Sequence, residues 1–222
     1  MKFMMPAELN VAIVDDHPLF RRGLIQLLST IPEFHLIGEA SCGKDGISLV
    51  KRTRPDLLLL DLNMKDMSGL EVLKAVKSSD SDTRVIMITV SDQAEDLVAA
   101  LRNGADGYLL KDMEPEQMVE SLQSAAAGKV IISEALTHIL AAALRGHNRP
   151  ESPQEADLTE QESRILERIA NGLSNKLIGK ELDIAEGTVK VHVKHILRKL
   201  NLKSRVEAAV WAVEHLHKSK GA

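Results

Sequence analysis

Residues 57–64 read LLLLDLNM, a run of four leucines that ends at an aspartate. A short apolar run that stops at a polar residue is typical of a strand buried on both faces of a parallel sheet. Four other runs share this pattern: Leu9–Val14, Phe34–Glu39, Val85–Thr89 and Gly107–Leu110. Stretches with helical spacing of apolar residues lie between the runs. The alternation predicts a doubly wound α/β domain built on a five-stranded parallel sheet.

Polar side chains stand where these apolar runs end. They are Asp15 and Asp16 after the first run, Asp61 after the third, Thr89 at the end of the fourth and Lys111 after the fifth. Because the carboxyl ends of parallel strands meet at one edge of a sheet, we expect these side chains to share one crevice. A single aspartate after a strand is most often a turn residue or a helix cap. Acids, a hydroxyl and a lysine at successive strand ends are hard to obtain from turn chemistry alone, and the set favours a phosphoryl-transfer site.

Three neighbouring carboxylates need a counter-charge. Mg²⁺ suits them because it takes oxygen ligands and keeps waters that a phosphate group can displace. Lys111 can contact a phosphoryl oxygen, and Thr89 can donate a hydroxyl hydrogen bond to one. An aspartate beside a metal ion and a lysine can attack phosphorus and become an aspartyl phosphate. The sequence therefore predicts a Mg²⁺-dependent phosphoacceptor.

Four segments around these positions resemble a known family. They are VDDHPLFRRG (14–23), LLLLDLNM (57–64), MITVSD (87–92) and GADGYLLKD (104–112), and they are similar to the receiver domain of two-component response regulators. The resemblance implies a flavodoxin-like strand order of 2-1-3-4-5. It also implies a sensor histidine kinase as phosphoryl donor. The receiver would then catalyse only its own phosphorylation and dephosphorylation, so the chain is not expected to be an enzyme with a separate substrate.

The same resemblance assigns roles to individual residues. Asp61 resembles the phosphoacceptor; Asp15, Asp16, Asp61 and the main-chain carbonyl of Asn63 resemble the metal ligands; Thr89 and Tyr108 resemble the switch residues; and Lys111 resembles the phosphate-contacting lysine. Two positions depart from the family pattern, because Lys65 and Asp112 stand where the family often has proline. The second departure leaves open whether the bond between Lys111 and Asp112 is cis.

The rest of the chain has a different organisation. We expect a receiver domain over residues 1–130, a connecting helix (Ser133–Leu144) and flexible linker over 131–157, and a helical domain over 158–222. The linker sequence RGHNRPESPQEAD (145–157) holds two prolines and almost nothing apolar. Thr159, Ser174 and Ser204 are suited to cap three helices of the last domain. Residues 158–222 carry 12 Lys and Arg against 8 Asp and Glu, whereas the whole chain has a net charge of −4, which suggests a polyanionic partner for this domain.

A helix predicted over residues 187–200 divides into two faces. Val189, Val193, Ile196, Leu197 and Leu200 fall on the core side at helical spacing. Lys190, Val191, Lys194 and Arg198 lie outside that arc, and Lys199, Lys203 and Arg205 extend the basic surface. Lysines on an exposed helix most often face solvent only. A helix that follows a tight turn and presents cations and one apolar side chain also fits the major groove of DNA.

Residues 158–210, from LTEQES to VEAAV, resemble the LuxR-type helix-turn-helix domain. Joined to a receiver, this is the architecture of the NarL/FixJ group of transcription regulators. The resemblance implies DNA as a partner, bound in the major groove by a dimer on paired half-sites, with RNA polymerase as a further possible partner. It assigns base contacts to Lys190, Val191 and Lys194.

Other interpretations stay open at this point. A ligand-sensing regulator is disfavoured because a small-molecule pocket would be apolar and enclosed. A phosphatase would need an acid/base aspartate two residues after Asp61, where Asn63 stands. His192 and His195 share a helix face, but no cysteine or acid cluster completes a zinc set. Trp211 either packs in the core or lies on a face that pairs two copies.

Amino-acid composition indicates the cellular compartment in which we expect the protein. Cys42 is the single cysteine and cannot form an internal disulfide, which suits a reducing cytoplasm. We find no apolar run long enough for a signal-peptide core or a membrane span. We therefore expect a cytoplasmic protein without a membrane partner.

Overall fold

A computed structural model of the chain describes residues 8–79, 83–126, 131–132, 150, 152–202 and 204–216. In the first part of the chain, strands and helices alternate. Their bounds are β1 Leu9–Val14, α1 Pro18–Leu28, β2 Phe34–Ala40, α2 Gly43–Thr53, β3 Leu57–Asp61, α3 Gly69–Lys77, β4 Arg84–Thr89, α4 Ala94–Arg102, β5 Gly107–Leu110, α5 Pro115–Ala126 and β6 Ile131–Ile132.

The sheet has the strand order β2-β1-β3-β4-β5, with the two-residue β6 beyond β5. Strand β1 pairs in parallel with β2 and β3, and β3 pairs in parallel with β4. All five residues of β3 are buried, as the leucine run predicts for a central strand. The predicted doubly wound fold and strand order are confirmed; β6 was not predicted.

The loop after β3 is held close to the end of the strand. The N–H of Gly69 donates to the carbonyl of Leu62 at 2.8 Å. A Cβ atom at position 69 would lie 2.1 Å from the carbonyl oxygen of Asp61, so only glycine allows α3 to begin here. Ser68 and Glu71 form the capping box that starts α3. This local sequence therefore fixes how Asp61 is presented at the sheet edge.

The second part of the chain is helical. Its described helices are α6 Glu160–Ala170, α7 Asn175–Leu182, α8 Glu186–Lys199 and α9 Arg205–Leu216. Asp183 ends α7 in the left-handed conformation with φ 53°. A Cβ atom on Gly179 would meet the carbonyl oxygen of Ile184 at 2.7 Å, so glycine permits the tight turn into α8. Helices α7 and α8 thus form a helix-turn-helix pair.

An aliphatic core holds these four helices together. Its buried members include Ile165, Leu166, Ile169, Ile178, Val189, Ile196, Leu200, Ala208, Trp211 and Ala212. Val193 and Leu197 pack against it, so the core face predicted for α8 is the one that is buried. Trp211 belongs to this core, as the packing alternative predicts.

The predicted linker is described only in part. The predicted helix Ser133–Leu144 lies outside the described residues. Near the other end of the linker, Pro150 accepts a hydrogen bond from the Trp211 indole at 3.0 Å, and Ala156 is buried in the helical core. The last residues of this stretch therefore pack on the helical domain. Among the described helices, none is long and apolar enough to cross a membrane.

Candidate functional site

The strand-end residues predicted to converge do so at the carboxyl edge of the sheet. Asp15 follows β1, Asp61 ends β3 and Lys111 follows β5. The Lys111 Nζ atom lies 2.8 Å from Asp15 Oδ2 and 2.8 Å from Asp61 Oδ2. Both aspartates are 2% exposed, so the lysine neutralises charge inside a shielded crevice. The bond between Lys111 and Asp112 is trans.

Each aspartate is oriented by a backbone N–H from its own loop or a neighbouring one. His17 donates to Asp15 Oδ1 at 2.7 Å, Asn63 donates to Asp61 Oδ1 at 3.3 Å, and Lys65 donates to Asp16 Oδ2 at 3.2 Å. The last bond needs an N–H that proline lacks. Lys65, where the family pattern often has proline, therefore adds an anchor for Asp16.

The crevice carries more negative than positive charge. Burial raises the pKa of Asp61, and the nearby Asp15 adds to that rise; contacts with Lys111 oppose it without reversing it. Three carboxylates and one ammonium leave two negative charges uncompensated. The donors that line the crevice are mainly carboxylate oxygens. Oxygen ligands and excess negative charge together fit a divalent cation such as Mg²⁺.

The two predicted switch residues meet at one short segment. The Thr89 hydroxyl accepts a hydrogen bond from the Ser91 N–H at 3.1 Å and lies 3.5 Å from the Asn63 amide nitrogen. The Tyr108 ring is fully buried, and its hydroxyl donates to the Ser91 carbonyl at 2.9 Å. Thr89 at the crevice and Tyr108 are therefore linked through the backbone of Ser91.

Sequence reasoning missed three residues at the start of α1. The Arg21 guanidinium donates to the main-chain carbonyl of Asp15 at 2.7 Å and to Glu39 at 2.7 Å, which clamps the β1–α1 loop. The Phe20 ring lies 4.7 Å from the Lys111 ammonium, a cation–π distance. The third residue, His17, points its Nδ1 atom at Asp16 Oδ1 from 3.0 Å. Residues 17, 20 and 21 are spaced so that they lie on one face of a helix, and from this spacing the sequence could have indicated that they act together.

Helix α8 presents the predicted basic face to solvent. Lys190, Val191, Lys194 and Arg198 are exposed. Val191 is 53% exposed, although it is apolar. Lys190 lies 3.8 Å from Glu186 one turn earlier, a weak surface pair. The exposed face therefore combines cations with one methyl-bearing side chain.

Two other predicted DNA contacts are engaged within the domain. Lys199 donates to Glu162 at 2.8 Å and to the Asp157 carbonyl at 2.7 Å. Arg205 donates to Asn175 at 2.8 Å and to the Leu173 carbonyl. Burial lowers the pKa of Arg205 to about 10, so the guanidinium stays charged at neutral pH. Both cations hold helices together in this structure, and their phosphate contacts stay a prediction; Lys203 lies outside the described residues.

The alternative zinc pair gains no support from the described part of the chain. There, the group of side chains that could hold a metal ion is Asp15, Asp16, His17 and Asp61, whose ligand atoms lie within 4.8 Å of one another. His192 and His195 do not belong to it. The metal-binding chemistry of the described residues is concentrated at the sheet edge.

Comparison with known proteins agrees with both halves of this geometry. The model of the response regulator receiver domain matches residues 11–123, and that of the bacterial regulatory proteins of the luxR family matches residues 156–212. The chain belongs to the two-component response regulators that join a receiver to a LuxR-type DNA-binding domain. A receiver implies a sensor kinase as partner, and the LuxR-type domain implies DNA.

Particular response regulators show how similar this chain is to known members of the family. The nitrate/nitrite response regulator NarL of Escherichia coli K12 is 52% identical over 202 residues, which covers 91% of this chain and 94% of that protein. NarP from the same strain is 45% identical over 201 residues, covering 90% and 93%. The signal receiver domain of a NarL response regulator from Mycobacterium tuberculosis superposes with a TM-score of 0.53 at 38% identity, covering 56% of this chain and all of that one.

Proposed function

We propose that this chain is a transcription regulator whose DNA binding is controlled by phosphorylation of Asp61. The observation that carries the proposal is the position of Asp61, which lies 2.8 Å from Lys111 inside a crevice it shares with two further aspartates. A sensor histidine kinase supplies the phosphoryl group. The bond between phosphorus and the kinase histidine breaks as a carboxylate oxygen of Asp61 bonds to phosphorus, and water later hydrolyses the aspartyl phosphate.

The residues of the crevice divide this chemistry between them. Lys111 stands where it can pair with a phosphoryl oxygen, and Thr89 offers a hydroxyl from the neighbouring strand. The carboxylates of Asp15, Asp16 and Asp61, with the carbonyl of Asn63, would hold Mg²⁺, which when bound neutralises charge on the phosphoryl oxygens. The receiver thus catalyses its own phosphorylation and its own slow return to the resting state.

Phosphotransfer is tested with the full-length chain, Mg²⁺ and a small phosphodonor. Intact-mass spectrometry is expected to show one added phosphoryl group, which Asp61→Asn abolishes. Asp112→Asn is the matched control, because Asp112 is an exposed acid beside Lys111. If Asp61→Asn still gains phosphate at the wild-type rate, Asp61 is not the acceptor.

Thr89 and Tyr108 would carry the signal away from the phosphate. Their shared contact with Ser91 supports this, because movement of one hydroxyl changes the backbone that the other one contacts. Phosphorylation then shifts a population between two packings of this segment. We expect Thr89→Ala to be phosphorylated on Asp61 but to lose the resulting change in DNA affinity. A variant that keeps the full change would exclude this coupling.

DNA recognition would use the exposed face of α8. Lys190 and Lys194 are placed to contact guanine edges, and Val191 is placed to contact a thymine methyl group. Arg198 and Lys203 would contact phosphates, and so would Lys199 and Arg205 once they leave their partners within the domain. Two copies bound to paired half-sites would double this surface. RNA polymerase is the protein partner that the DNA-bound regulator would influence.

A pair of alanine variants tests this interface. Lys190→Ala or Lys194→Ala is expected to weaken specific binding by about 1–3 kcal/mol, which is roughly fivefold to a hundredfold. Arg164→Ala is the control, since Arg164 is an exposed cation on α6, outside the proposed face. Equal losses for all three variants would mean that only general charge attraction acts.

We further propose that the kinase partner responds to nitrate or nitrite. Support comes from the two relatives above, which are nitrate/nitrite regulators and cover nine-tenths of the chain. The test offers the purified protein an autophosphorylated nitrate/nitrite sensor kinase and an unrelated sensor kinase. Faster transfer from the first is expected. Preference for the unrelated kinase would assign a different stimulus, and a NarP-like role remains the alternative within the nitrate class.

A further inference from the structure

The end of the predicted linker is folded onto the helical domain. Residues 152–158, which we call the strap, form consecutive turns in which the N–H groups of three successive residues donate to carbonyls three to five residues earlier, at 3.0–3.1 Å. Ala156 of the strap is 6% exposed in the aliphatic core. Just before the strap, the carbonyl of Pro150 accepts the hydrogen bond from the Trp211 indole at 3.0 Å. The strap is therefore a structural part of this domain.

The strap contacts the end of α8 through Lys199. The Lys199 ammonium donates to the main-chain carbonyl of Asp157 at 2.7 Å and to the Glu162 carboxylate at 2.8 Å, and only 25% of its side chain is exposed. An ammonium has three N–H donors, and two of them are committed here. A DNA phosphate at this position would bring its negative charge next to the carboxylate of Glu162. Contact with a phosphate therefore requires Lys199 to swing outward and leave the strap.

The contact depends on the backbone conformation of Asp157. Its φ is 51°, in the left-handed region that asparagine and aspartate tolerate and that β-branched residues avoid. Asp157 lies at the end of the turns, and its own carbonyl is the one that Lys199 contacts. A side chain that resists this conformation would therefore loosen the strap without altering Lys199 or the exposed face of α8.

We propose that the strap is an autoinhibitory contact, in which the Asp157 carbonyl and a DNA phosphate compete for the Lys199 ammonium. DNA binding then has to open the strap, and any change that favours the open strap raises the apparent DNA affinity. The proposal rests on the proposed function, because it requires that the helical domain binds DNA and that Lys199 contacts a phosphate. It adds that the end of the linker itself limits how tightly DNA is bound.

Two substitutions of Asp157 separate the strap from a simple effect of charge. Asp157→Asn and Asp157→Val remove the same negative charge, but only asparagine tolerates the left-handed conformation. The full-length chain is phosphorylated with a small phosphodonor and Mg²⁺. Its affinity is then measured by fluorescence anisotropy on a duplex that the wild type has selected from a random library. Asp157→Val is expected to bind about tenfold more tightly than Asp157→Asn, because the strained residue shifts the strap equilibrium by about that factor.

The direction of the change distinguishes inhibition from a purely structural role. If the strap only stabilised the domain, opening it would lower the DNA affinity or leave it unchanged. Gln154→Val is the matched control, because Gln154 is exposed in the same turns and its φ is not positive, so its affinity should equal that of the wild type.

Ser152→Ala opens the strap by another route, which keeps the test decisive if Asp157→Val does not fold. The Ser152 hydroxyl accepts a hydrogen bond from the Glu155 N–H at 3.1 Å. Loss of this bond changes no charge and is expected to tighten DNA binding by about two- to tenfold. Urea unfolding followed by Trp211 fluorescence shows which variants are folded.

Lys199→Gln tests whether the strap acts through this lysine. In the Lys199→Gln background, Asp157→Asn and Asp157→Val are expected to differ by less than about twofold, because the group for which the strap competes is gone. Lys199→Gln alone should also reduce the slope of log affinity against log salt concentration by about 0.9, the value for one phosphate contact.

Several results would overturn the proposal. Asp157→Val that binds no more tightly than Asp157→Asn, or Ser152→Ala that binds no more tightly than the wild type, excludes inhibition by the strap. A gain in Gln154→Val as large as that in Asp157→Val excludes the role of the left-handed residue. An undiminished difference in the Lys199→Gln background, or an unchanged salt slope, excludes competition for Lys199.

The proposed function has its own failure signal in the same assay. If neither Lys190→Ala nor Lys194→Ala weakens binding to the selected duplex, the exposed face of α8 does not recognise DNA, whatever the strap variants do. If these two variants weaken binding and the strap variants do not strengthen it, DNA recognition stands and only the autoinhibitory contact is excluded.

Discussion

Glu162 connects α6, the first helix of the DNA-binding domain, to α8. Its carboxylate accepts a hydrogen bond from the Lys199 ammonium at 2.8 Å and from the Thr159 N–H at 2.9 Å. The side chain is 4% exposed. Burial raises the pKa of Glu162, but the bonds from Lys199 and Thr159 outweigh burial and hold the pKa below its usual value. We predict that Glu162→Gln destabilises this domain at neutral pH.

The size of the effect follows from the contacts that are lost. Glutamine keeps an oxygen for the Thr159 N–H but loses the charge that pairs with Lys199. A hydrogen bond to a charged group contributes about 1.5–3 kcal/mol, and Lys199 retains the Asp157 carbonyl as a partner. We expect a loss of about 2 kcal/mol. With a urea m-value of about 1 kcal/mol/M for a domain of this size, the unfolding midpoint falls by about 2 M.

Fluorescence of Trp211, the one tryptophan of the chain, reports unfolding of this domain within the full-length protein. Glu160→Gln is the control, since Glu160 is an exposed acid in the same helical turn. Because the folded pKa of Glu162 is depressed, its contribution is complete above the unfolded value near 4.5 and disappears as the pH falls through the folded value. A difference between wild type and Glu162→Gln that is as large at pH 3 as at pH 7, or an equal loss in Glu160→Gln, refutes the reasoning.

Three further predictions concern the loops around the crevice. Lys65→Pro removes the N–H that anchors Asp16 and is expected to weaken Mg²⁺ binding in calorimetry. Lys65→Ala keeps the N–H and should keep the affinity. Equal Mg²⁺ affinities for the two variants would mean that the bond from Lys65 to Asp16 does not support metal binding. Gly69→Ala places a Cβ against the Asp61 carbonyl and should cost about 1–3 kcal/mol in urea unfolding, and an unchanged midpoint would contradict the packing. Asp66→Asn weakens the cap on α2, because the Asp66 carboxylate accepts hydrogen bonds from the N–H groups of Gly43 and Lys44. These bonds lower the pKa of Asp66, so the stabilisation that Asp66 provides is lost as the pH falls below about 4. If the variant loses stability in acid as much as the wild type does, Asp66 does not provide this cap.

Local chemistry along the chain determines much of the fold. Strand β3 is readable from sequence because a central parallel strand must be apolar on both faces, and the observed bounds extend the predicted run by one residue. The capping boxes that begin at Ser68 and Thr159 are equally local, since donor and acceptor lie three residues apart. The meeting of Asp15, Asp61 and Lys111 also follows from sequence, because parallel strands bring their carboxyl ends to one edge.

Tertiary structure decides which charged side chains already have a partner within the folded chain. Sequence identifies Lys199 and Arg205 as cations, but their partners Glu162 and Asn175 lie 37 and 30 residues away. The hydrogen bond from the Lys65 N–H to Asp16 likewise joins groups that lie 49 residues apart. Periodicity and capping are properties of a few consecutive residues, so the sequence carries them directly. The partner of a side chain depends on which distant groups packing brings within about 3 Å of it, and only the folded chain fixes that.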